Sequence, residues 1–105
     1  MSDALILTSA NFASTIASAT PTLVDFWAPW CGPCKAMLPV VGELAAELSG
    51  QATIAKVNVD EQGDLAAQYN ITAIPAFIVF KNGKEVARMV GAQRKDELKK
   101  KILGS

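Results

Sequence analysis

The chain has 105 residues, half of them hydrophobic and 19% charged, which is typical of one compact globular domain over residues 1–105 and excludes a disordered or fibrous chain. Ten basic and ten acidic side chains give a formal net charge of zero. We therefore expect neither nucleic acid nor a membrane as a partner, because both call for a clustered positive or apolar surface. The chain has two cysteines and no histidine, which excludes a four-cysteine or cysteine–histidine zinc site within one chain and a nucleophile paired with histidine.

The N-terminal residues predict no export signal. The apolar stretch Ala4–Leu7 is too short for the core of a signal peptide, and no apolar run approaches the length of a membrane span. The two cysteines are separated by only two residues, which does not resemble the disulfide framework of a secreted protein. We expect a cytoplasmic protein, and a monomer.

Hydrophobic periodicity divides the chain into alternating strands and helices of an α/β domain. The predicted elements are a strand at Ala4–Leu7, a helix carrying Phe12 and Ile16, a strand at Thr22–Ala28, a helix from Cys31 to near Gly50, a strand at Thr53–Val59, a helix at Leu65–Tyr69, strands at Ala76–Phe80 and Lys84–Val90, and a helix at Asp96–Leu103. Asn82-Gly83 predicts a tight hairpin turn, because both residue types tolerate positive φ angles. Strands joined through helices are expected to run parallel, and the hairpin to add an antiparallel edge.

The segment Trp30-Cys31-Gly32-Pro33-Cys34 lies where a buried strand passes into a helix. A thiol at a helix N-terminus is favoured as thiolate by the helix dipole and unpaired N–H groups, and the second thiol lies one turn deeper. A purely structural disulfide is the alternative. However, closing so short a loop would stabilise the fold by only about 2 kcal/mol, through the conformational entropy that the unfolded chain loses. A zinc half-site completed by a second chain is also possible, although it lacks a second type of ligand. The spacing favours a redox dithiol.

Asp25 lies in the middle of an apolar strand, between Val24 and Phe26. Burial disfavours the charged carboxylate and raises its pKa toward the range that suits a general base. A surface aspartate on a strand edge is the alternative, which the flanking Leu23 and Trp27 disfavour. With no histidine in the chain, Asp25 is the candidate base for the dithiol.

The run V-D-F-W-A-P followed by W-C-G-P-C resembles the signature of the thioredoxin family, and Lys56, Ile74-Pro75, Asn82-Gly83 and Val90-Gly91-Ala92 stand where that family has similar residues. The resemblance covers essentially the whole chain. It implies a thioredoxin fold, a five-stranded mixed β-sheet flanked by four α-helices, and the reduction of protein disulfides. It also implies re-reduction by a thioredoxin reductase, flavin-NADPH or ferredoxin-linked, and no cofactor beyond the redox-active disulfide Cys31–Cys34.

The resemblance assigns roles to the central residues by position. Cys31 would attack a substrate disulfide, Cys34 would resolve the mixed disulfide, and Asp25 would accept the proton of Cys34, either directly or through a water. Lys56 would lie beside Asp25 and offset its buried charge, whereas the residues alone allow an ordinary exposed strand lysine. Gly32 and Pro33 would support the loop.

The resemblance also implies the surroundings of the sulfurs. The bond before Pro75 would be cis and face them, whereas the residues alone favour a trans proline opening an edge strand. Trp27 would be structural, packing beneath the loop and reaching Asp60. Substrate would rest on an apolar rim formed by four residues: Trp30, Ile74, Gly91 and Ala92.

Two other functions stay open at this level. The domain could serve as a stable subunit or chaperone with an incidental dithiol, or it could run the same chemistry as an oxidase or isomerase. The Gly-Pro dipeptide between the cysteines resembles the reducing branch. Two of the departures from the family are Thr72, which stands where many relatives carry a basic residue and leaves open which reductase docks, and Gln93, a weak helix cap compared with the serine often found nearby. None of the departures involves the sulfur chemistry.

Overall fold

The computed structural model describes residues 3–104, which form one five-stranded sheet with four helices. The strands are β1 (Leu5–Ile6), β2 (Thr22–Trp27), β3 (Thr53–Asn58), β4 (Ala76–Lys81) and β5 (Lys84–Val90). The helices are α1 (Phe12–Ile16), α2 (Gly32–Glu47), α3 (Gly63–Gln68) and α4 (Lys95–Leu103). Every predicted element is present, and the boundaries differ by a few residues, most at the end of α2. The mixed sheet and the helix number implied by the resemblance are confirmed.

The sheet has the strand order β1-β3-β2-β4-β5. β1, β3 and β2 run parallel, whereas β4 pairs with β2 antiparallel, and β5 pairs antiparallel with β4. The expectation that every strand reached through a helix runs parallel is therefore wrong for β4. The six residues of α3 rise about 9 Å, less than half the length of a six-residue strand, so the helix itself does not carry the chain back along the sheet. The chain re-enters the sheet at the end where β3 left it.

Helices cover both faces of the sheet and enclose two apolar clusters. On one face α2 and α4 bury Met37, Val41, Leu44, Leu98 and Ile102 against Leu23, Ile54, Phe77 and Val79. On the other face α1 and α3 bury Phe12, Ile16 and Leu65 against Val24, Phe26, Val57, Ile78 and Phe80. Because side chains alternate along a strand, odd-numbered β2 residues face α2 and even-numbered ones face α1 and α3. None of the helices in residues 3–104 has the length and apolar character needed to cross a bilayer.

The turn between β4 and β5 adopts the predicted geometry. Asn82 and Gly83 have φ angles of 55° and 79°. Their amide groups also donate hydrogen bonds to the carbonyl oxygens of Ser18 and Ile16, both at 2.8 Å. The hairpin therefore anchors the end of the sheet away from the cysteines, since β4 begins at Ala76 beside Phe26 and runs away from it.

Candidate active site

The two cysteines lie at the N-terminus of α2 and form a disulfide. Cys31 is the N-cap residue, its sulfur accepts a hydrogen bond of 3.2 Å from the backbone N–H of Cys34, and the two Cα atoms are 5.2 Å apart. Gly32 and Pro33 form the start of the helix, where proline loses no hydrogen bond. Cys31 is 6% exposed and Cys34 is fully buried, so only Cys31 can be reached from solvent.

Apolar side chains and one proline loop surround the disulfide. Ala28 is buried with the two cysteines, and Trp27, Val59 and Ile74 pack against them. The sulfur of Cys31 lies 3.9 Å from the carbonyl oxygen of Ile74. The Ile74–Pro75 peptide bond is cis, as the resemblance implies, and Pro75 is buried. The proline loop therefore forms one wall of the Cys31 opening.

Asp25 is buried in the centre of β2, and it is not the surface aspartate that the alternative would require. It alternates with Leu23, which packs against α2, so its side chain points toward the helix that carries Cys34. Neither carboxylate oxygen has a hydrogen-bond partner among residues 3–104. Desolvation is therefore only partly offset by the charge of Lys56, and the pKa of Asp25 rises from 3.8 to about 7.

Lys56 occupies the position on β3 directly opposite Asp25. It is half-buried, which excludes the fully exposed lysine of the alternative, and its Nζ lies 5.6 Å from the centre of the Trp27 ring. A small cavity of about 120 Å³ reaches Lys56 from the side of Asn58 and Glu61. Asp25, Lys56 and Trp27 thus share the sheet face beneath the disulfide, and Lys56 and Trp27 line this cavity.

Asp60 binds Trp30, and the prediction that Trp27 reaches Asp60 is wrong. The indole N–H of Trp30 lies 2.9 and 3.2 Å from the two carboxylate oxygens of Asp60. Trp27 instead packs against the disulfide and beneath Lys56. Asn58 accepts hydrogen bonds from the backbone N–H groups of Asp60, at 2.9 Å, and Glu61, which holds the Asp60 loop in place. The Trp30 ring stays 69% exposed beside Cys31.

The turn after β5 forms the opposite side of the rim. Gly91 has a φ angle of 91°, which only glycine adopts without strain, and its N–H donates a hydrogen bond of 2.7 Å to the carbonyl of Pro75. Ala92 follows it and is exposed. Gly91 is therefore joined to the proline loop, whose Ile74 contacts the sulfur of Cys31, and Trp30 directly precedes Cys31 in the chain.

A groove of about 280 Å³ extends the rim on the Trp30 side, and it contains residues that the sequence did not single out. Besides Trp30, Ile74 and the Thr72 noted in the sequence, it is lined by four residues that the sequence did not single out: Val59, Ala66, Ile71 and Ala73. The apolar residues in the segment between α3 and β4 could have indicated this groove, because a loop that contacts only water does not require apolar side chains. In residues 3–104 no group of three or more potential metal-ligating side chains comes together.

The arrangement can break and reform one disulfide, because Cys31 and Cys34 lie three positions apart at the start of α2 and Cys31 is accessible. The thioredoxin family model matches residues 3–103. The chain belongs to the thioredoxin family. Like other members, it is a thiol–disulfide oxidoreductase, and it reduces disulfides in protein substrates.

Known thioredoxins align with this chain over almost its whole length. Thioredoxin 1 of Synechococcus elongatus is 48% identical over 99 residues, covering 93% of this chain and 92% of that protein. A thioredoxin of Staphylococcus aureus is 50% identical over 92 residues, 88% of each chain. Among solved structures, the thioredoxin of Malassezia sympodialis superimposes with a TM-score of 0.89 at 31% identity, covering 99% of this chain and 91% of that one. A mutant thioredoxin from Halobacterium salinarum gives 0.90 at 34%, covering 97% and 89%.

Proposed function

We propose that Cys31 is the attacking thiol and Cys34 the resolving thiol of this protein-disulfide reductase. The observation that carries the proposal is their unequal position: Cys31 caps α2 and is 6% exposed beside the proline loop, and Cys34 lies fully buried one turn deeper. The N-terminus of a sixteen-residue helix stabilises a thiolate on Cys31 once the pair is reduced.

The reaction then proceeds in two exchanges that balance in atoms and electrons. The Cys31 thiolate attacks one sulfur of the substrate disulfide, forms a mixed disulfide and releases the other substrate sulfur as thiolate. Cys34 loses its proton and attacks the sulfur of Cys31. The second substrate thiolate leaves, and the Cys31–Cys34 disulfide of the structure is formed. The substrate gains two electrons and the dithiol loses them, with no other cofactor.

Asp25 is the group that accepts the proton of Cys34 in this proposal. A base works best when its pKa lies near the working pH, and burial raises the pKa of Asp25 to about 7. Lys56 keeps that pKa from rising further, and it lines a cavity of about 120 Å³ together with Trp27. Gly32, Pro33, Pro75 and Trp27 hold the sulfurs and the loop around this pair.

Substrate binding is assigned to the exposed rim. A substrate segment would rest on the ring of Trp30 and on Ile74, with Gly91 and Ala92 on its other side. Apolar surface next to a reactive thiol suits extended or partly unfolded segments, whose own apolar side chains are accessible.

A thioredoxin reductase would return the disulfide to the dithiol, since the cycle ends with an oxidised pair. The proposal includes a monomeric, single-domain protein in the cytoplasm, with no nucleic acid or membrane as partner. The zero net charge supports the exclusion of nucleic acid, and a reducing compartment suits a dithiol that must be regenerated.

The proposal is tested with the reduced protein and insulin as the disulfide substrate. Cys31→Ser should abolish reduction, because the remaining Cys34 is buried and cannot reach a substrate. Cys34→Ser should accumulate a mixed disulfide through Cys31 that is visible on a non-reducing gel. A mixed disulfide trapped by Cys31→Ser would reverse the two assigned roles. Full turnover by Cys34→Ser would show that Cys34 is not the resolving thiol.

The direction of the reaction is tested separately by equilibrating the Cys31–Cys34 pair with glutathione. We expect the pair to be more reducing than glutathione, because the resemblance places it on the reducing branch. A pair that stays reduced in a glutathione buffer that oxidises most protein dithiols would identify an oxidase or isomerase instead.

A further inference from the structure

The turn at Val90–Ala92 is held by a side chain outside the set of residues discussed so far. The amide nitrogen of Gln93 donates hydrogen bonds of 3.3 Å to the carbonyl oxygens of both Val90 and Gly91. These are consecutive carbonyls, at the point where the chain leaves β5. Gln93 is itself half-buried, so the amide closes the turn from beneath and does not extend into solvent.

The same turn is joined to the proline loop by a shorter bond. The N–H of Gly91 donates to the carbonyl of Pro75 at 2.7 Å, and Ile74 of that loop contacts the sulfur of Cys31. Val90 pairs with Ala76, the residue after Pro75, in the β4–β5 ladder. Gln93 therefore braces one side of the opening from which Cys31 reacts, although it touches neither sulfur.

Gln93 does not cap α4, which removes its most obvious alternative role. The N-cap residue of α4 is Arg94, and no side chain caps that position. The Gln93 amide faces back toward β5 and away from the free N–H groups of the helix. The expectation of a weak helix cap at Gln93 is therefore wrong, and its hydrogen bonds serve the turn.

We propose that Gln93 is a positioning residue for protein substrates, which keeps the Gly91–Ala92 side of the rim in place against the proline loop. This inference rests on the proposed role of that rim. A segment of substrate polypeptide meets both sides of the opening at once, so its binding requires the turn to stay where it is. A small disulfide reaches Cys31 without touching the turn, so its reduction does not depend on Gln93.

The test compares Gln93→Ala and Gln93→Glu with the wild-type protein on two substrates, insulin and a small aromatic disulfide. We expect KM for insulin to rise about threefold to tenfold with kcat changed less than about twofold, because uniform binding is lost while the chemical step is intact. Gln93→Glu should have the larger effect, since its carboxylate would face two carbonyl oxygens and donate to neither. Reduction of the small disulfide and the glutathione equilibrium should stay unchanged.

Gln68→Ala and Gln68→Glu are matched controls, because Gln68 is exposed and its side chain makes no hydrogen bond within residues 3–104. Amide hydrogen exchange at Gly91 gives a second readout, and it should accelerate in both Gln93 variants. An unchanged KM for insulin, or an equal loss on both substrates, would overturn the proposal. A wild-type protein that reduces neither substrate would instead contradict the proposed function.

Discussion

The buried pair Asp25 and Lys56 beneath the disulfide and the exposed rim above it differ in their contact with solvent, and they contribute to the reaction through different physical effects. Asp25 and Lys56 face each other on adjacent strands, and burial there shifts the pKa of Asp25 by desolvation. The rim offers an exposed indole, an apolar loop and a glycine turn, where contact with apolar surface and not charge is available to a substrate. The difference indicates a division of labour: the buried pair sets when the sulfurs react, and the rim sets with which protein they react. Variants of the two regions should therefore change different measurements.

The largest expected effect is on stability at the buried pair. The folded-state pKa of Asp25, about 7, exceeds the unfolded value of 3.8, so between those values the folded protein holds a proton that the unfolded chain releases. The free energy of unfolding therefore falls as pH rises through this window, by about 4 kcal/mol in all. Asp25→Asn removes this loss, and should be the more stable protein above pH 7.

Urea unfolding of the oxidised proteins at a series of pH values measures this difference. Asp64→Asn is the control, because Asp64 is exposed and its acceptor oxygen for the hydroxyl of Ser9 is retained in asparagine. A difference between Asp25→Asn and the wild-type protein that does not change with pH would show that Asp25 is not protonated by burial.

The next effect is kinetic and comes from the same side chain. Asp25→Asn should slow resolution of a preformed mixed disulfide at least about tenfold near pH 7, since general base catalysis is lost. The first attack by Cys31 should be nearly unaffected. Rapid-quench measurement of the two steps separates them, and an equal slowing of both would place Asp25 outside the proton transfer.

Lys56→Met should keep Asp25 as the base and change only the pH at which it titrates. The charge of Lys56 lowers the pKa of Asp25, so its removal should shift the pH dependence of resolution upward, by up to about one pH unit. Lys35→Met is the control, because Lys35 is exposed on α2 directly after Cys34. A pH profile unchanged by Lys56→Met but shifted by Lys35→Met would contradict the pairing with Asp25.

A smaller effect is expected at the rim. Asp60→Leu releases the indole of Trp30, and KM for insulin should rise about threefold while the pH dependence of resolution stays the same. Asp60→Asn retains an acceptor oxygen and should restore most of the affinity. A shift of the pH profile in either variant would break the division between the two regions.

The smallest effect is expected far from both regions, on the α2–α4 surface. Lys95 bonds to Glu43 at 3.1 Å and to Glu47 at 2.6 Å, and all three side chains are exposed. Because water screens such pairs, Lys95→Met should change neither insulin reduction nor the urea midpoint measurably. A clear loss of activity would show that the reaction depends on more than the buried pair and the rim.

Local pattern was sufficient for the elements, the dithiol and the buried carboxylate. The change from strand to helix periodicity at Cys31, the Asn82-Gly83 turn and the apolar neighbours of Asp25 all lie within a few residues of the feature they predict. The positions of Lys56 and the cis bond at Pro75 came from resemblance, because nothing in their neighbours distinguishes them from an exposed lysine and a trans proline. These features were therefore accessible before any tertiary contact was known.

Only the tertiary structure decided how distant segments meet. The direction of β4 depends on the end of the sheet at which the chain re-enters it after α3. Trp30 and not Trp27 is the partner of Asp60 because Trp30 lies in the turn after β2, where it meets the Asp60 loop, which is 30 residues away in the chain. The hydrogen bond from the amide of Gln93 to the carbonyl of Gly91 forms only because the chain turns back on itself after β5. Periodicity is a local property, whereas these contacts depend on chain direction and packing, which local residues do not encode.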